Sequence, residues 1–273
     1  MTELVQEREA QDWAGTVYDG WLYALEPQFV ERGIAFPDYM RTDAWAAKSL
    51  QTGLASYTEL KHDTVLYVKQ GNAGEGEELV PPFDPRHYVE PDPVAFGRIA
   101  AVARLCLDGL GERGLLDPAT TERFEHVIEL SSWLAGIAQD ELAGRPTSAV
   151  DNDRLGYIGS ELELLWYETS DIEPYVTVPQ GDESAAVVAD ILRSSFEYLE
   201  LGTGWIDTIY VITPDGAGGF QLAQGGVYSY YEFWRPVSEQ RLTDEEWRQM
   251  LADGSQPQRP SWQEPLLARV GVG

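Results

Sequence analysis

Glu59, Lys61, His62, Asp63, Lys69 and Gln70 crowd into the stretch TELKHDTVLYVKQ at 58–70, about three helical turns. On a helical wheel Lys48, Thr52, Glu59, His62, Asp63, Lys69 and Gln70 share roughly a third of the circumference. Leu50, Leu54, Tyr57, Leu60, Val65, Tyr67 and Val68 fill the rest, with Lys61 intruding. Residues three apart on a helix are neighbours, so Glu59 and His62 can converge on one ligand. A Glu-x-x-His pair is half of a carboxylate-bridged metal site. One reading is therefore a divalent metal or acid–base site on Glu59, His62 and Asp63, with Lys69 as a further catalytic candidate, suited to metal-dependent hydrolysis. The other is a stripe of ion pairs knitting one helix to its neighbours. The sequence has no second Glu-x-x-His: His126 stands between Glu122 and Glu129 at other spacings.

A second candidate is the aromatic run YSYYEFW at 228–234. As a strand it puts Tyr228, Tyr230 and Glu232 on one face and Val227, Ser229 and Tyr231 on the other. The first set could line a ligand groove, and it could equally be packing surface. Other chemistries lack their signatures. There is no phosphate-binding loop, no dinucleotide fingerprint, no nucleophile elbow and no His-Glu-x-x-His. With only His62, His87 and His126, a histidine-rich zinc site is disfavoured. Cys106 is the sole cysteine and sits in the apolar run AAVARLCLDGL. It reads as a buried small hydrophobe, not a nucleophile.

These residues need elements to hold them. Gln6 to Glu26 carries Trp13, Val17, Trp21, Leu22 and Leu25 at helical spacing, closed by Pro27 and ERGIAFPDYM. Asp43 reads as the N-cap of a long helix from Ala44 to about Gln70, broken by GNAGEGEE. PPFDPRHYVEPDP at 81–93 is an extended connector. Asp92-Pro93 and Asp117-Pro118 are matching helix starts, each with Asp as cap and Pro at the first helical position. The second runs past Phe124, Val127, Leu130, Leu134 and Ile137. GLGERG at 109–114 reads as a helix end. Asp151 opens another helix through Ile158, Leu162, Leu165 and Trp166. After Pro174 the texture changes. Ala185–Leu192 fits strand or helix, IDTIYVIT, FQLAQ and VYSYYEF are strands, and PDGAGG is a turn. Thr243 with Glu246 forms a capping box for a short helix through Trp247 and Leu251.

The expected fold is α+β and mainly α, with a small antiparallel β-meander near the C-terminus. Its segments are a helical region at 1–175, a β region with a short helix at 176–254, and a loop-like tail at 255–273, folding as one unit. Hydrophobic residues make up 43% of the chain, enough for a sizeable core.

The formal net charge of −27 sets 46 acidic residues against 19 basic ones, and Lys48, Lys61 and Lys69 are the only lysines. Nucleic acids need a cationic surface that displaces counterions, so that class of partner is excluded. Anionic membrane surfaces are disfavoured likewise. A cationic ligand, a protein partner or a second copy of the chain suits this charge, which also serves solubility. No stretch approaches the roughly 18 to 20 apolar residues of a membrane span. The N-terminus MTELVQEREAQDW is charged where a signal peptide would be apolar.

Several pieces resemble the C-terminal half of a prokaryotic family designated domain of unknown function 3160. They are YDGWLYAL, FPDYMRTDAWAAKSLQTGLASYTELKHDTVLYVKQ, YVEPDPVAFGRI, VVADI, IDTIYVI, GGVYSYYEFWRP and RLTDEEW, in order between Trp13 and Trp262. The resemblance implies a chain lacking the family's N-terminal half, and a protein that is secreted or attached to the cell envelope. It also implies a departure: relatives tend to have a histidine where this chain has Leu192, after Ala189, Asp190 and Ile191. A site shared between that histidine and His62 is then incomplete here. The expectation is a non-catalytic binding or structural module at or outside the envelope, with the metal-dependent hydrolase as its alternative.

Overall fold

In the computed structural model the described residues are 13–63, 86–169 and 185–267. In chain order they form α1 (Val17–Leu25), α2 (Asp43–Asp63), α3 (Pro93–Gly111), α4 (Pro118–Leu142), α5 (Ala149–Gly156), α6 (Ile158–Thr169), β1 (Val188–Arg193), β2 (Glu197–Pro214), β3 (Phe220–Pro236) and α7 (Asp244–Asp253). The fold is α+β and mainly α, with one three-stranded antiparallel sheet in the order β1-β2-β3. Among the described residues no helix is long and apolar enough to cross a membrane.

The chain groups into two compact units, each discontinuous in sequence. The first comprises Met1–Tyr39, Gly74–Asp171 and Ile212–Ala223, and the second Met40–Ala73, Ile172–Val211 and Gln224–Gly273. Helix α2 thus groups with most of the sheet, and the β2–β3 turn groups with the other helices.

In the first unit, both Asp-Pro starts behave as their chemistry dictates. Asp92 accepts from the Ala95 amide and Asp117 from the Thr120 amide, while proline fills a position whose N–H has no helical partner. Asp92 also receives Arg32 and Gln28, so the cap anchors the chain ahead of it. Arg98 on α3 reaches back to the Tyr23 carbonyl and Glu26, with its guanidinium 3.7 Å from the Tyr23 ring centroid. The core here is Val89, Ile137, Ala138 and Leu155, with Phe96, Trp133 and Leu134 against it.

In the second unit the core is Ala186, Val188, Tyr231, Trp247 and Leu251. Trp247 is fully buried, and its indole N–H donates to the Thr203 carbonyl at 2.7 Å. It fits because residue 202 is glycine: a Cβ there would lie 2.7 Å from Trp247 Cζ2. The β1–β2 register pairs Val188 with Gly202 and shifts between Asp190 and Leu192. The tail is tied down, since Gln263 donates to the Tyr230 carbonyl and Trp262 packs on the Tyr230 ring.

Several boundaries differ from expectation. Among the described residues the helix through Trp21 and Leu25 begins at Val17, capped by Thr16, so it is not continuous with Trp13; the expected start near Gln6 lies outside the described residues. Thr42, not Asp43, accepts from the Trp45 amide and caps α2. Ser148, not Asp151, caps α5, with Asp151 three residues inside. The helix expected through Ile158 and Trp166 is two helices broken at Tyr157. FQLAQ and VYSYYEF belong to one continuous strand, β3. The stretch expected to carry α2 on to Gln70 lies outside the described residues beyond Asp63.

Candidate functional site

His62 ends up as a structural bracket. Its Nε2 lies 3.0 Å from Asp244 Oδ2, and the other oxygen of Asp244 accepts the Val188 amide at 3.0 Å. Asp244 opens α7 behind the Thr243–Glu246 capping box, so one carboxylate joins α2, β1 and α7. Glu59 acts elsewhere: it adds to burial in pushing the Tyr228 phenol up. The side chain of Asp63, and Lys69 altogether, lie outside the described residues. Among the described residues no three His, Cys, Asp or Glu side chains gather as metal ligands would. His126 belongs to an ion-pair node, 3.1 Å from Glu161, which Arg154 links to Glu129 through a two-pronged contact. Those pairings hold the Glu129 and Glu161 carboxyls below their usual range.

The aromatic strand is split. Tyr228 is 39% exposed, whereas Tyr230 is 1% exposed beneath Trp262. The Tyr230 hydroxyl donates to Glu232 at 3.1 Å, and burial, then the Glu232 charge, pushes that phenol up. Tyr230 therefore presents no open face to a ligand. Cys106 is half-buried on α3, less covered than its apolar neighbours suggested, and burial pushes its thiol up.

The first unit holds a site that no sequence motif announces. Glu141 stands one residue from the end of α4, continuing the stripe through Leu134, Ile137 and Ala138. Its Oε1 accepts the Val89 amide at 3.0 Å, while Oε2 is shut from water with no hydrogen-bond partner among the described residues. Burial dominates that single backbone bond and raises the carboxyl to about 8. At neutral pH Glu141 is therefore mostly a neutral acid. Two half-buried tyrosines neighbour it: Tyr39 Oη donates to Tyr88 Oη at 3.4 Å, with the rings edge to face. Burial pushes Tyr88 up to about 12; burial and the bond to Tyr88 raise Tyr39 further, and both also feel Glu90 and Glu141.

Segment 86–90 carries this arrangement. The His87 amide donates to Asn152 on α5 at 2.9 Å, and Arg86 Nη1 donates to the Asp215 carbonyl at 2.8 Å. Asp215 shapes the β2–β3 turn, its Oδ1 accepting the Ala217 and Gly219 amides, which lowers its carboxyl. Gly216 adopts φ 70°, a left-handed conformation that glycine adopts without strain, and passes tightly by Pro146. Between these pieces lies a cleft of about 280 Å³, walled by Arg86, His87, Tyr88, Glu141, Arg145, Asn152 and Asp215 among others. The described part of the connector forms one wall of the cleft through Arg86, His87 and Tyr88.

Comparison with curated proteins finds no match, and comparison with solved structures finds none either. A family profile described as "Protein of unknown function (DUF3160)" matches residues 1–263, nearly the whole chain. The chain belongs to the DUF3160 family.

Proposed function

We propose that this protein is a non-catalytic binding module whose ligand site is the cleft beside Glu141. The observation that carries the reading is the convergence of a buried, partly unpaired carboxyl with Arg86, His87 and Asn152 around a volume of about 280 Å³. That volume suits a small molecule, near the lower end of pockets of roughly 300 to 1,000 Å³. The surrounding groups are held in fixed bonds that favour orienting a ligand. Work at or outside the cell envelope is part of the same proposal, on the strength of the family resemblance alone.

A thermal-melt screen against small polar compounds tests it, run on the wild type and on Ala149→Trp. Ala149 is an exposed cleft-wall residue on α5, and a bulky ring there obstructs the cleft while leaving the Ser148 cap in place. A compound present at a hundred times its Kd should stabilise the wild type by about 2.7 kcal/mol. The same compound should leave Ala149→Trp unmoved. Equal responses from both proteins, or none from the wild type across the panel, overturn the proposal.

A further inference from the structure

Resting on the binding reading, we infer that the cleft takes a compact carboxylate ligand, held by the Arg86 guanidinium beside the Glu141 carboxyl. The chain as a whole carries a charge of −27, which favours cations almost anywhere on its surface. The cleft departs from that background. Arg86 spends one N–H on the Asp215 carbonyl, and among the described residues it is in no ion pair. A guanidinium has five donors in a planar fork that matches a carboxylate two-pronged, so most of its capacity is unspent. Arg145, on the same wall, is paired with Asp140. The acidic groups nearby are disarmed in different ways. Asp215 commits Oδ1 to two turn amides, although its charge still offsets part of Arg86. Glu141 carries its proton at neutral pH, so it repels no anion there.

The pH behaviour follows from that proton. As Glu141 ionises, it places a negative charge against the bound carboxylate. Tyr39 and Tyr88 feel its charge together with that of Glu90, and Arg86, His87, Arg145 and Asp215 stand around the cleft. Tyr88, at about 12, and Tyr39, raised still further, stay neutral through the range of interest. Asp215, whose carboxyl the Ala217 and Gly219 amides lower, stays charged.

Calorimetric titration of the full chain tests this with succinate, putrescine and glucose as probes of three charge classes. Succinate should bind at pH 7, and Arg86→Gln should weaken it tenfold or more. With a carboxyl titrating at about 8, the protonated fraction falls about tenfold between pH 7 and pH 9, and succinate affinity should fall with it. Glu141→Gln should flatten that change to less than twofold, while His87→Gln should leave it standing. Circular dichroism of each variant confirms that it is folded. Putrescine or glucose binding in place of succinate overturns the carboxylate inference and leaves the binding module intact. Silence from all three overturns the carboxylate inference, and a silent wider screen removes the binding reading as well. An Arg86→Gln variant that is folded and binds succinate normally also overturns the inference, as does a pH profile flattened by His87→Gln.

Discussion

Glu141 shows how one residue can be legible in pattern and hidden in meaning. Its spacing from Ile137 and Ala138 puts it on the buried face of α4, a signal present in the sequence. What the sequence could not supply is Val89, whose amide takes one oxygen, or the burial that leaves the other unpaired. His62 is the converse. Its spacing offered Glu59 three residues away, and the carboxylate 3.0 Å from its ring is Asp244, distant in sequence. The raised value of Glu141 also bears on stability. Its carboxyl moves from 4.5 to about 8 on folding, so the fold favours the neutral form. That contribution is complete below about 4.5 and is lost as pH rises through 8. Glu141→Gln keeps an acceptor for Val89 and removes the titration. Chemical denaturation should find it equal to the wild type near pH 4 and more stable near pH 9, by up to about 5 kcal/mol. Parallel curves across that range would show that the carboxyl is not strained by its burial.

At the scale of elements, local chemistry was the reliable guide. The Asp92-Pro93 and Asp117-Pro118 starts, the Thr243–Glu246 box and the alternating strands all form where their residues dictate. The two misplaced caps share a cause. Asp43 and Asp151 sit just inside their helices, where a carboxylate complements the helix dipole and imitates a cap; Thr42 and Ser148 make the actual bonds. The helix break at Tyr157 left no comparable signature in the apolar spacing. Close packing was equally illegible. Nothing around Gly202 in sequence announces the indole that lies against it. Gly202→Ala should therefore destabilise the second unit, by about 1 to 3 kcal/mol as for an overpacked core, read from urea unfolding. A variant within a few tenths of the wild type would mean that Trp247 yields space at little cost.

At the scale of the whole molecule, the two units are discontinuous, and chain order does not announce them. Helix α2 joins the strand-rich unit through contacts such as Gln51 donating to the Tyr228 carbonyl. The turn at 215–219 joins the helical unit through Arg86. Both are tertiary pairings between residues far apart in sequence, which periodicity cannot reveal. The cleft depends on the second of them, which is why motif spacing pointed to 58–70 and 228–232 instead. The central claim is that ligand binds in the first unit, and amide NMR of the isotopically labelled full chain tests it most directly. Titrating in the compound with the largest melt shift should move the resonances of His87, Tyr88, Val89, Asn152 and Gly216. Shifts confined to Glu59, Tyr228 and Glu232 would contradict the account and return the site to the second unit.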